Sequence, residues 1–420
     1  MEQSGFALEL LPNHIIIKII TDLLNTQDET IQSNIANIGS IRIVNSLIES
    51  DHNKVRIVDF MDTCLWLRLL ISIGIFDNQP HIKWCDKIKE YLSQIVRERR
   101  YTSRVHDLID ISKYESSQRI RDYAQCLLYH LITDDSDEIE RQFLLGEMSD
   151  IPSLNNTTIV EFVKNKEQFK NIKYWDVRNV TVMSHLFHFN KNVNTMLNDL
   201  VLTYWDTRNV TTMNYLMSNI SITIHGITNW NTCRVKDMSY CFANTESFNV
   251  PLEWNTSSVK KMSGMFYKAE SFNQPLDWDT SNVISMFSMF ENAKSFNQPL
   301  EWNTRNVVRM LAMFENAKSF NQPLVWNTSN VTTMKCMFQY ADSFNNLLLF
   351  DTSKVIDMTY MFYGTRSFNQ PLHCNTKNVT DMSYMFEDAT SFNQALDWNI
   401  INVTHMSDMF ENSQGRFIHS

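Results

Sequence analysis

Hydrophobic residues recur at a fixed step of 24 residues across the second half of the chain. In the unit from Phe272 to Ala293 the recurring residues are Trp278, Val283 and Met286, followed by a phenylalanine. The equivalent columns run from Val259 to Val403, from Met262 to Met406, from Phe266 to Phe410, and through Trp254, Trp302, Trp326, Phe350, Cys374 and Trp398. A unit this short cannot bury its apolar face alone, so the pattern predicts stacked coils that share one continuous core.

Two local patterns follow each other within a unit. The segment from Pro275 to Asp279 alternates, with Leu276 and Trp278 on one side, and predicts a short half-buried strand. Thr280 or Ser281 is then placed to cap a helix. Apolar residues at steps of three and four predict that short helix: Val283, Met286, Met289, Phe290 and Ala293. Every unit runs in the same direction, so the strands are expected to be parallel.

Helical spacing dominates residues 1–150, which we expect to form an all-α domain. The stretch from Leu23 to Gln32 resembles an armadillo or HEAT helix pair. Leu11, Ile15 and Ile19 resemble instead the opening of an F-box. Both alternatives, and an unrelated helical bundle, stay open from the sequence.

The remaining boundaries follow the regularity of the repeat. Residues 151–229 hold degenerate first repeats, marked by Trp175 and Trp205, and a junction. Residues 230–413 hold the regular repeat, and residues 414–420 form a tail. Irregular early units are typical where a repeat array joins another domain.

Composition narrows the function classes. The net charge is -10 and the pI about 5.6, which argues against nucleic-acid binding because that needs a basic surface. The seven cysteines include no CxxC pair, which favours a reducing compartment. Neither a signal peptide nor a membrane-spanning segment is evident, so we expect an intracellular protein with no membrane span.

The block from Ser271 to Ala293, SFNQPLDWDTSNVISMFSMFENA, resembles the BspA-type leucine-rich-repeat-like units of bacterial surface proteins. Similar units occur in proteins of protists and large DNA viruses. The resemblance implies a repeat scaffold for adhesion or protein binding, without catalytic residues. With it, the expected fold class is α+β: an N-terminal all-α domain followed by a right-handed leucine-rich-repeat-like solenoid, with one short parallel strand and one short helix per 24-residue coil.

Candidate chemistry is sparse. No phosphate-binding loop, GxSxG or HExxH occurs, and we predict no catalytic, cofactor-binding or metal-binding residue. His185 and His188 are spaced for a metal pair, but no third ligand is close in sequence. Acidic residues recur at one strand position and are better explained as a solvated face than as a glycosidase pair: Glu253, Asp277, Glu301 and Asp397.

Asparagine also recurs at a turn position. A ladder of side chains that bond the turn backbone from coil to coil is expected from the following residues: Asn273, Asn297, Asn321, Asn345, Asn369 and Asn393.

The residues that vary at one exposed strand position are the hypothesised partner-binding residues: Glu253, Asp277, Glu301, Val325, Leu349, His373 and Asp397. The leading hypothesis is a non-enzymatic protein–protein interaction scaffold whose protein partner the sequence does not name. Its alternatives are an F-box-like substrate adaptor for ubiquitin ligation and a glycan-acting hydrolase. An exposed C-terminal coil further suggests a homodimer through that end.

Overall fold

The computed structural model describes residues 109, 113, 136, 138–148, 151–188, 194, 197, 199–228 and 230–418. Most of the expected N-terminal helical domain lies outside these residues. So do Leu11, Ile15 and Ile19, on which the F-box hypothesis rests, and the stretch from Leu23 to Gln32 behind the armadillo or HEAT alternative.

The chain divides into two compact units. One unit comprises Met1–Pro152, Tyr174–Asp176 and Thr203–Asp206, and the other comprises Ser153–Lys173, Val177–Leu202 and Thr207–Ser420.

In the first unit, helix α1 spans Glu138–Leu144. Its Phe143 is fully buried, with ring centroids 4.6 Å from Tyr174 and 4.8 Å from Tyr204. The hydroxyl of Tyr204 donates a hydrogen bond of 2.6 Å to the Glu140 carboxylate. These aromatic contacts give the helix a buried side.

Regular elements are short in the rest of the described chain. They are β1 (Ser153–Asn155), α2 (Thr158–Lys164), a 3-10 helix (Lys166–Tyr174), β2 (Asp176–Asn179), β3 (Asp199–Val201), β4 (Thr223–His225), β5 (Ala395–Leu396) and β6 (Arg416–Phe417). Strand β3 pairs with β4 in parallel, from Asp199 opposite Thr223 to Val201 opposite His225. Strand β5 pairs with β6 in parallel, with Ala395 opposite Arg416.

In the second unit each 24-residue repeat forms one coil, and successive coils pair in parallel. Isolated bridges join one residue per coil to its equivalent in the next: Val182, Thr212, Asp237, Lys261, Ser285, Arg309, Thr333, Asp357, Asp381 and His405. From Asp237 onward the pairing repeats at the 24-residue period of the sequence, so each coil supplies hydrogen-bond partners to its neighbour.

The core consists of columns of identical residue types. The rings of Trp278 and Trp302 lie 6.4 Å apart and nearly parallel, and those of Phe266 and Phe290 lie 5.6 Å apart. Met286 is fully buried, as the equivalent methionines from Met262 to Met382 are. Met406, in the last coil, is the exception at 38% exposed. The prediction of tryptophan, valine, methionine and phenylalanine columns is thus confirmed in the interior coils.

The short helix expected in each coil is absent from residues 230–418, where turns occupy its place. Two residues per coil, such as Ser288 and Asn292, adopt positive φ angles of 52° and 59°. Left-handed residues redirect alternate peptide groups, so the N–H groups of Ser288 and Asn292 donate to Leu311 and Glu315 in the next coil. A helix would keep these N–H groups within its own turn, and the helix prediction is therefore wrong.

The prediction of a helix cap at this position is also wrong, because no helix follows it. The hydroxyl of Thr280 is fully buried and donates to the carbonyl of Asn303 in the next coil, at 3.1 Å. Its backbone carbonyl accepts from Val283 within a turn. Equivalent threonines make the same bond along the stack: Thr232, Thr256, Thr304, Thr328, Thr352 and Thr376.

Candidate interaction surface

The residues expected to bind a partner occupy one position in successive coils, and all are exposed. This variable row comprises Glu253, Asp277, Glu301, Val325, Leu349, His373 and Asp397. In each coil the two flanking residues point inward, as Leu276 and Trp278 do at 3% and 6% exposed. Strand-like alternation thus fixes which side chains reach solvent.

Two hydrophobic side chains of the variable row lie side by side in solvent. Parallel bridges align the coils at Leu324, Leu348 and Leu372. Val325 and Leu349 directly follow the first two of these residues and are 92% and 72% exposed. Such exposure of neighbouring aliphatic side chains is typical of surfaces that bind another molecule.

A second exposed row lies two residues earlier in each coil. This proline row comprises Pro251, Pro275, Pro299, Pro323, Leu347, Pro371 and Ala395. Pro323 and Leu347 precede the bridging residues Leu324 and Leu348, and they widen the apolar surface formed by Val325 and Leu349. The proline row was not among the residues expected to bind a partner, although the same 24-residue step marks it in the sequence.

The asparagine ladder fixes the backbone turns that precede the proline row and the variable row. The side-chain oxygen of Asn273 accepts from the backbone N–H of Asn297 at 2.9 Å, and Asn297 accepts from Asn321 at the same distance. Gln298 also donates to the Asn273 carbonyl. The ladder continues through Asn345, Asn369 and Asn393, so this prediction is confirmed. Each turn before the exposed rows is therefore tied to the previous coil.

Buried indoles support the same segment from inside. The Nε1 of Trp302 donates to the carbonyl of Leu276 in the previous coil, at 3.1 Å. Trp326 bonds Leu300 in the same way, at 3.0 Å. The exposed rows thus rest on backbone that is bonded through the turn and through the core.

A different part of the coils carries half-buried carboxylates. Burial raises the pKa of Glu315 to about 7, and the neighbouring Glu291 carboxylate adds to the rise. Burial also raises the pKa of Glu291, which the Ser288 hydroxyl and Lys268 partly oppose. The pKa of Cys336 rises to about 12 by burial and by the charge of Glu315. This thiol is therefore a poor nucleophile.

The chain matches the family described as "Mycoplasma protein of unknown function, DUF285" in four overlapping stretches, at residues 157–276, 216–325, 253–347 and 324–417. Together they cover residues 157–417, which is more than half of the 420 residues. The chain belongs to this family. No curated protein matches the chain, and no solved structure matches it either.

The DUF285 repeats contain the whole variable row, and they place its acidic members on an open face. Glu253, Asp277 and Glu301 are exposed at equivalent positions in three successive coils. A glycosidase holds its substrate between two carboxylates that flank the scissile bond. The three carboxylates of this chain lie on one face and so do not flank a substrate in this way. The absence of enzymatic activity stays a prediction.

The histidine pair near the start of the family match lies close together in space. The ring centroids of His185 and His188 are 5.2 Å apart, and His185 stacks on Tyr215 at 4.7 Å. Burial, together with His185, lowers the pKa of His188. Among the residues that the structure describes, no three His, Cys, Asp or Glu side chains form a group that could hold a metal ion.

The last coil is covered on one side. Strand β6 pairs with β5, and the ring of Phe417 packs edge-on against Phe410 with centroids 5.5 Å apart. His405 and Met406, which precede the turn of this coil, are exposed. A homodimer through this coil remains a prediction. Within the described part of the chain, no helix is long and apolar enough to cross a lipid bilayer.

Proposed function

We propose that this DUF285 protein is a non-enzymatic scaffold that binds a protein partner through the variable row and the adjoining proline row. The observation that carries the proposal is the pair Val325 and Leu349, which are 92% and 72% exposed side by side. Burying two aliphatic side chains of this size contributes about 2 kcal/mol each to association.

The division between fixed and varying positions supports the same role. Val283, Met286 and Phe290 sit in columns that keep their residue type from coil to coil. The variable row lies on that frame and passes from three acidic side chains to two aliphatic ones, then to His373 and Asp397. A fixed core with a changing exposed row is how repeat proteins distinguish partners.

We also propose that the coils form a right-handed leucine-rich-repeat-like solenoid related to the BspA-type units. Parallel pairing at the sequence period and the shared aromatic columns support this architecture. The intracellular location expected from the sequence stays a prediction.

The test compares two pairs of exposed aliphatic residues in adjacent coils. Full-length tagged protein carrying Val325→Asp and Leu349→Asp is used beside wild type to capture proteins from an extract of the source cells. The matched control carries Ile284→Asp and Val308→Asp, which are 45% and 38% exposed elsewhere on the coils. Thermal unfolding verifies that both variants remain folded.

A partner identified by quantitative mass spectrometry is then purified and titrated directly by calorimetry. We expect at least a tenfold weaker affinity for the Val325 and Leu349 variant and little change for the control. Equal affinities for wild type and both variants would overturn the proposal.

A further inference from the structure

The four central side chains of the variable row form a self-complementary order. The bridges through Leu324, Leu348 and Leu372 hold the coils in register. The row therefore reads Glu301, Val325, Leu349 and His373 in consecutive coils. Val325 and Leu349 are in the middle, with the carboxylate of Glu301 on one side of them and the imidazole of His373 on the other.

We propose that the partner of this face is a second copy of the same chain, related by a twofold axis that runs parallel to the strands between the coils of Val325 and Leu349. This inference rests on the proposed function, because it names the occupant of the same face. A rotation about this axis reverses the order of the coils and keeps each row opposite its own equivalent.

The central contacts of this arrangement are apolar. Val325 lies opposite Leu349 of the second copy, and Leu349 lies opposite Val325. In the proline row, Pro323 lies opposite Leu347 of the second copy. Val325 and Leu349, which are 92% and 72% exposed on one copy, are thus buried together on association.

The flanking contacts pair unlike groups. Glu301 lies opposite His373 of the second copy, and the symmetry repeats the pair on the other side. A carboxylate accepts a hydrogen bond from an imidazole N–H and attracts an imidazolium. Because the chain carries a net charge of -10, its copies repel each other unless a face offers such complementarity.

The strength of the dimer is limited by its outer contacts and by its size. Asp277 lies opposite Asp397 of the second copy, which opposes association. With strands about 4.8 Å apart, the two rows cover roughly 30 Å by 10 Å on each copy, below the ~800 Å² per partner of standard interfaces. We therefore expect a weak, transient dimer.

A charge-swap cycle tests the register. Sedimentation equilibrium of the full chain is measured for wild type, Glu301→Lys, His373→Glu and the double variant. We expect each single variant to weaken association at least tenfold, because it places a cation opposite an imidazole or two carboxylates opposite each other. The double variant restores unlike pairs and should recover the wild-type constant to within threefold.

Two further variants complete the experiment. Leu349→Asp should give a monomer, and Asp397→Lys should tighten the dimer severalfold by removing the outer repulsion. Thermal unfolding verifies that these exposed substitutions leave the fold intact. A monomeric wild type at about 100 μM, a dimer that persists in Leu349→Asp, or a double variant that does not recover would overturn the inference.

Failure of this inference and failure of the proposed function give different results. A monomeric wild type whose captured partner is lost with Val325→Asp and Leu349→Asp leaves the scaffold role in place and removes the second copy. A dimer that persists in Leu349→Asp points to another surface, such as the last coil.

Discussion

The ring of Tyr240 lies directly over the backbone of Gly264, the residue that takes its place in the next coil. A Cβ added to Gly264 would lie within 3.0 Å of three carbon atoms of that ring. Gly264 also has a positive φ of 59°. Ala312, at the equivalent position two coils later, has a φ of 54° and carries a side chain. The ring, more than the backbone, therefore requires glycine at Gly264.

Gly264→Ala should destabilise the protein by about 2–3 kcal/mol, because the new methyl group overpacks against Tyr240. In a Tyr240→Ser background the same change should cost only about 1 kcal/mol, which is the cost of a left-handed non-glycine residue. Urea unfolding followed by tryptophan fluorescence measures both values. An equal cost in the two backgrounds would show that the ring has no part in the effect.

Trp302→Phe should separate the hydrogen bond of the indole from its bulk. Phe350 fills the same column at 8% exposed, so phenylalanine fits the position. The substitution leaves the carbonyl of Leu276 without the indole donor, and we expect a loss of about 1–3 kcal/mol. Trp302→Ala should cost about 3–5 kcal/mol because it also opens a cavity. Equal losses for the two variants in urea unfolding would contradict this account.

The columns could be predicted from the sequence, whereas the backbone between them could not. A fixed step identifies Trp278, Met286 and Phe290 as neighbours of their equivalents whatever path the chain takes. The left-handed residues include Ser288, Ala312 and Cys336, at φ angles from 52° to 56°. These residue types do not signal positive φ, and their apolar neighbours at steps of three and four mimic a helix.

Asn297→Ala should remove one link of the asparagine ladder. The side-chain oxygen of Asn297 accepts from the backbone N–H of Asn321 and from Gln322. Loss of these acceptor contacts should cost about 1–2 kcal/mol. Asn297→Asp retains an acceptor oxygen and should keep most of the stability. If both substitutions cost the same in urea unfolding, the ladder bond is not the cause.

The exposed side chains of the variable row could be predicted from the sequence, but the surface that they form with the proline row could not. Alternation around Trp278 assigns Asp277 to solvent from sequence alone. The join between the variable row and the proline row depends on how the coils align at Leu324 and Leu348, which only the fold shows. The raised pKa of Glu315 could not be predicted from the sequence either, because it depends on burial and on the charge of Glu291 in the previous coil.

Glu315 should make the stability of the protein depend on pH near neutrality. Burial, reinforced by Glu291, raises the pKa of this carboxyl from 4.5 in the unfolded chain to about 7. Between these values the folded state holds the proton more tightly, so stability falls as the pH rises from about 4.5 to 7. Glu315→Gln removes the ionisation and should stabilise the protein at pH 8 by on the order of 1 kcal/mol, after allowance for solvent screening.

The gain from Glu315→Gln should shrink as the pH is lowered toward about 4, where the wild-type carboxyl is protonated in both states. Urea unfolding across this range provides the measurement. In a Glu291→Gln background the gain should be smaller, because the neighbouring charge contributes to the raised pKa of Glu315. A gain that is constant with pH would mean that the substitution acts through packing and not through ionisation.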